Sequence, residues 1–183
     1  MIYHLSLRTA GLLAGVFLLL IALPSVFAPN VLRNAAAKFP RSRQLGVAFL
    51  TLAFLWSFWL LSTMEMGEFS NFRRPLQIAL PIGYLLVMRF VDEFLAVRAL
   101  GMLCLLAAEP LLDAAFLRPE QSRLLVTLFA YILIVQGLFW VMMPYLLRDQ
   151  ISWSARTLGR WVSLNALAVI YGAAILLFAF TRY

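Results

Sequence analysis

The 183 residues are 64% hydrophobic and only 13% charged, against roughly a quarter charged in an ordinary soluble domain. With a mean hydropathy of +0.92, this composition excludes a soluble globular chain and allows about six membrane crossings at roughly 20 residues each. The net charge of +7 does not imply nucleic acid, because its cations lie in short loops between apolar runs, where charge sets membrane orientation.

The expected fold class is therefore all-α, a polytopic membrane helix bundle with residues 1–183 in one integral-membrane domain. The first span is expected over 9–28. Arg8, the following apolar run and Val26-Phe27-Ala28 have the layout of a cleavable leader. Pro29 directly after the cleavage position should hinder processing, so a retained span is expected. Ala10/Ala14 and Gly11/Gly15 form a small-residue stripe that allows close helix approach, read as packing before dimerisation.

The loop PNVLRNAAAKFPRSRQ follows, with Arg33, Lys38, Arg41 and Arg43 and no acid. Its apolar residues alternate at helical spacing, as in a piece lying on an anionic membrane surface. The plainer reading is preferred: a basic loop that fixes orientation, with incidental lipid contact.

The second span is expected over 45–64. Beyond it lie Glu65 and Glu68, then Arg73 and Arg74. Acids at a helix C-terminus oppose the macrodipole. Either the helix stops before them or the two arginines compensate; local compensation is preferred, and a metal pair is not expected.

The third span, 75–91, is short and contains Pro81 and Gly83, which predicts a kink or a partly re-entrant segment. The fourth, 94–116, carries Glu109, Pro110 and Asp113 within its apolar run. An ionisable side chain at membrane depth costs at least about 3 kcal/mol, so it needs a partner or a role. At 100° per residue, Arg98, Glu109 and Asp113 share one face with Met102, Leu105 and Phe116. That face is expected to point into the bundle or a partner subunit. Arg98 lies about 16 Å along the axis from Glu109, too far to pair with it directly.

The fifth and sixth spans are expected over 124–147 and 161–180, with Gln136 and Asn165 hydrogen-bonding between helices. Pro29-Asn30-Val31-Leu32-Arg33 matches Pro144-Tyr145-Leu146-Leu147-Arg148, and a Leu-Gly pair opens each following span. A parallel repeat of spans 1–2 and 5–6 would explain this, and it favours full crossing by span 3. The strongly basic first loop predicts both termini outside the cytoplasm, in a multi-pass protein of a bacterial inner membrane.

Glu65, Glu68, Arg73, Arg74 and Arg118 would then form an outer polar layer. His4 is expected at the lipid interface. Cys104 is the sole cysteine, so one chain has no disulfide or cysteine cluster. No catalytic motif, metal site or cofactor signature is present, and no motif carries a resemblance to a known family. The leading expectation is a non-catalytic subunit or scaffold of a larger membrane assembly. Its partners would be the lipid bilayer and other membrane subunits. The alternatives are a small transporter or proton pathway using Glu109 and Asp113, and an intramembrane enzyme acting on lipid.

Overall fold

The computed structural model describes residues 3, 5–91 and 93–182; His4 lies outside the described residues. Among these there are eight α-helices and no strand: α1 (Leu7–Phe27), α2 (Pro29–Lys38), α3 (Arg43–Thr63), α4 (Arg73–Phe90), α5 (Leu95–Ala115), α6 (Arg123–Met142), α7 (Tyr145–Ser154) and α8 (Leu158–Thr181). Short 3-10 segments occupy Phe39–Arg41 and Gly67–Phe72.

Hydroxyl side chains start three of the long helices. Ser6, Ser42 and Thr157 accept from the backbone N–H of Thr9, Leu45 and Arg160, satisfying donors that a helix start leaves free. Prolines stop two long helices, α1 and α6. Pro29 follows α1 after Ala28 and opens α2, while Pro144 separates α6 from α7. The fifth expected span, 124–147, is thus too long: α6 ends at Met142, because Pro144 has no N–H to continue the ladder.

Five helices are long and apolar enough to cross a membrane: α1, α3, α5, α6 and α8. The helix in the third expected span, α4, falls short of this standard. It spans 18 residues, about 27 Å, but carries Arg73, Arg74 and Arg89 and has no buried residue. It runs unbroken through Pro81 and packs chiefly on α3, where Thr51 and Tyr84 share a hydrogen bond of 2.9 Å.

Two tight antiparallel pairs form the bundle, α1 with α8 and α5 with α6, and α3 packs along α5 in parallel. Glycines permit these approaches. A Cβ on Gly101 would lie 2.8 Å from the Gly137 carbonyl oxygen, and one on Gly137 would lie 2.9 Å from that of Gly101. Gly15 and Gly172 meet in the same way between α1 and α8. The small-residue stripe of α1 is buried within the chain: Ala10, Gly11, Ala14 and Gly15 all face inward. A central core joins α1, α5, α6 and α8 through Ala14, Ala108, Leu111, Val126 and Ile175.

The loops 29–44 and 143–157 each contain a ten-residue helix entered at a proline. These helices, α2 and α7, touch at one end of the bundle, where the Arg33 guanidinium donates to the Ala155 carbonyl. The turn before α5 lies at this end too, with Arg148 over the Phe94 ring at 5.9 Å. Tyr3, the C-terminus of α3 and the loop 116–122 lie at the opposite end.

Candidate functional site

Four of the arginines donate to backbone carbonyls, Arg33 at the α2–α7 contact and three others at helix ends. A helix leaves its last carbonyls without donors and carries partial negative charge there. Arg73 donates to the carbonyl of Met64, the residue that ends α3. Arg98 donates to Val141 in the last turn of α6 at 3.3 Å, and Arg123 to Ala115, the last residue of α5, at 3.4 Å. Trp161 performs the same task for α1, its indole donating to Ser25 at 3.1 Å.

This corrects two expectations. Glu65 and Glu68 are exposed and lie past the end of α3, so the helix stops before its acids. Arg73 neutralises the carbonyl end of α3, and no ion pair joins Glu65 or Glu68 to Arg73 or Arg74 among the described residues. Arg74 and Arg118 are exposed at the same end. Asn165 also differs from expectation, since it donates within its own helix to Trp161. Gln136 does bond between helices, accepting from Gln150 of α7 at 3.1 Å.

Arg98 separates from the two acids with which it shares a helix face. It caps α6 near the α2–α7 end, while Glu109 and Asp113 lie toward the other end of α5. The bundle buries the α5 side that carries Ala108, Leu111, Ala114 and Ala115. Glu109 is consequently exposed at the surface of this chain and Asp113 is half-buried, instead of both being enclosed by its helices.

Glu109 and Asp113 lie on the wall of an open depression of about 650 Å³ between α5 and α6, whose other lining includes Leu105, Leu112, Phe116 and Ile134. Asp113 and Phe116 also line a neighbouring hollow of about 450 Å³ with Tyr3, Ser6 and Arg118. Together they form a groove with apolar walls and a polar end. Burial pushes the Tyr3 phenol above its ordinary pKa; the hydrogen bond from the Trp56 indole acts against this, and the nearby Glu109 charge adds to the rise. Since Trp56 is the donor, the Tyr3 hydroxyl proton is free for another acceptor. No ion pair to either acid is present among the described residues.

Sequence reasoning missed Tyr3 and Trp56, whose partnership joins residues 53 positions apart. The basic-loop residues Lys38, Arg41 and Arg43 are exposed, whereas Arg33 is half-buried against α7. Among the described residues no group of three or more histidine, cysteine, aspartate or glutamate side chains is placed to hold a metal. No protein-family model, curated protein or solved structure matches this chain.

Proposed function

We propose that the protein is a non-catalytic subunit of a larger membrane assembly, and that another membrane protein covers the α5–α6 groove. Six crossings, with α4 as the third, and a repeated helix–short helix–helix unit at α1–α3 and α6–α8 complete this reading. Both termini would face away from the cytoplasm of a bacterial cell. The observation that carries the proposal is Glu109: an ionisable side chain exposed on the flank of a candidate span, with no ion pair to it among the described residues. An uncovered charge there would meet acyl chains at a cost of several kcal/mol. A neighbouring subunit removes that cost by supplying a donor or a cation.

Tagged protein solubilised from native membranes in mild detergent tests the reading. Glu109→Gln keeps shape and hydrogen bonding, so it should retain the membrane partners. Glu109→Leu should leave the isolated chain as stable as before, because Glu109 is exposed, yet lose those partners. Equal recovery of the same partners with wild type and Glu109→Leu would contradict it.

A second reading rests on the sideways opening of the groove. Apolar walls beside Tyr3, Ser6, Asp113 and Arg118 suit a lipid with a polar head, as an intramembrane enzyme or carrier would need. Copurification of a stoichiometric lipid, released by Glu109→Leu, would favour it. A proton pathway through Glu109 and Asp113 instead requires Glu109→Gln to assemble normally but lose flux.

A further inference from the structure

The two loops that the sequence keeps apart become one platform. α2 and α7 touch, and Arg33 of the first donates to the carbonyl of Ala155, the residue that caps the second. Beyond Arg33, the segments 29–44 and 144–160 carry Lys38, Arg41, Arg43, Arg148, Arg156 and Arg160, all exposed. They contain a single acid, Asp149, which Arg148 already engages at 2.9 Å. Among the described residues, the one other acid at this end is Glu93, in the turn before α5.

Apolar side chains accompany these cations. Val31 is 67% exposed on α2 and Trp153 50% exposed on α7. The Arg160 guanidinium lies over the Trp153 ring at 5.3 Å. An indole anchors at the boundary between headgroups and acyl chains, which sets its stacked guanidinium at headgroup depth. A planar guanidinium binds phosphate oxygens in pairs. Cations alone would take any phosphate; cations alternating with exposed apolar residues fit a phosphate attached to acyl chains.

We propose that the α2–α7 platform is a binding surface for the phosphate headgroups of anionic phospholipids, with Lys38, Arg156 and Arg160 as its recognising side chains. The inference stands independently of the α5–α6 groove.

The test uses the full chain equilibrated in micelles with equal amounts of phosphatidylglycerol and phosphatidylcholine, followed by quantification of retained lipid. Wild type should enrich phosphatidylglycerol roughly fivefold or more, the ratio that a single cation at a membrane surface contributes. Lys38→Gln, Arg156→Gln and Arg160→Gln together should bring the ratio near parity. The set Lys38→Arg, Arg156→Lys and Arg160→Lys keeps the charge but gives up the paired guanidinium contacts, so its enrichment should fall between wild type and the Gln set, which separates loss of charge from loss of folding. Arg74→Gln, Arg118→Gln and Arg182→Gln, at the opposite end, should also preserve it. No enrichment in wild type, or equal loss with the opposite-end set, would overturn the proposal. Complete displacement of the lipid by inorganic phosphate would overturn it as well, identifying free phosphate as the ligand.

Discussion

The indole Nε1–H of Trp161 donates to the carbonyl oxygen of Ser25 at 3.1 Å, within the buried contact between α8 and α1. In a continuing helix that oxygen would accept from the residue four positions on, but that residue is Pro29, which has no N–H. A buried carbonyl left unpaired costs about 1–3 kcal/mol. Trp161→Phe keeps most of the packing and removes the donor. It should therefore lower stability by about 1–3 kcal/mol, read as thermal or denaturant unfolding in a fixed detergent. An unchanged midpoint would show that the carbonyl finds water instead.

Arg98 illustrates the same principle at α6. Its guanidinium serves the Val141 carbonyl and not the carboxylates on its own helix. A double-mutant cycle between Arg98→Gln and Glu109→Gln should give a coupling below about 0.5 kcal/mol, as for separate sites. Each change should act alone, with Arg98→Gln loosening the α5–α6 pair. A coupling of 1 kcal/mol or more would reinstate the polar face that helical periodicity suggests.

The glycine contacts predict opposite outcomes at two positions. Gly101→Ala drives a methyl against the Gly137 carbonyl, and backbone cannot yield as a flexible side chain does. A loss of about 1–3 kcal/mol is expected. Nothing lies within 4 Å of a Cβ placed on Gly83, so Gly83→Ala should be neutral or stabilising, by up to about 1 kcal/mol from helix propensity. Unfolding midpoints of the two variants, compared side by side, check both.

Topology is open to thiol labelling in a Cys104→Ala background. Under the six-crossing proposal, cysteines at Ser42 and Ser152, both in the α2–α7 end, resist an impermeant reagent when only the outer face is exposed. A cysteine at Ser70, in the 3-10 segment before α4, reacts. Labelling at Ser42 or Ser152 would reverse the orientation, and protection at Ser70 would remove α4 as a crossing.

Much of the fold was legible because apolar runs and caps are local. Ser6, Ser42 and Thr157 sit within three residues of the helix starts they set, and Pro144, which the expected fifth span ran through, marks the end of α6. The tasks of the arginines were not legible, because each depends on which distant carbonyl lacks a donor. Part of that signal is in the sequence: Pro29 and Pro119 announce that Ser25 and Ala115 lack their usual partners. Which side chain fills the gap is decided by helix pairing; charge-counting assigned Arg73 to carboxylates instead and gave Arg98 no partner. The outward turn of Glu109 was hidden for a similar reason. The periodic face was correct as geometry, but α5 buries its alanine side, with Ala108, Ala114 and Ala115, against the core.

The central claim, that another membrane protein covers the α5–α6 groove, is tested most directly by a photoreactive amino acid at Leu112, which lines the groove beside Glu109. In native membranes, illumination should give one discrete adduct with an integral membrane protein. That adduct should persist with Glu109→Gln and vanish with Glu109→Leu. The same probe at Ile170, exposed on α8, should give lipid adducts. Lipid adducts alone at Leu112, unchanged by Glu109→Leu, would contradict the account.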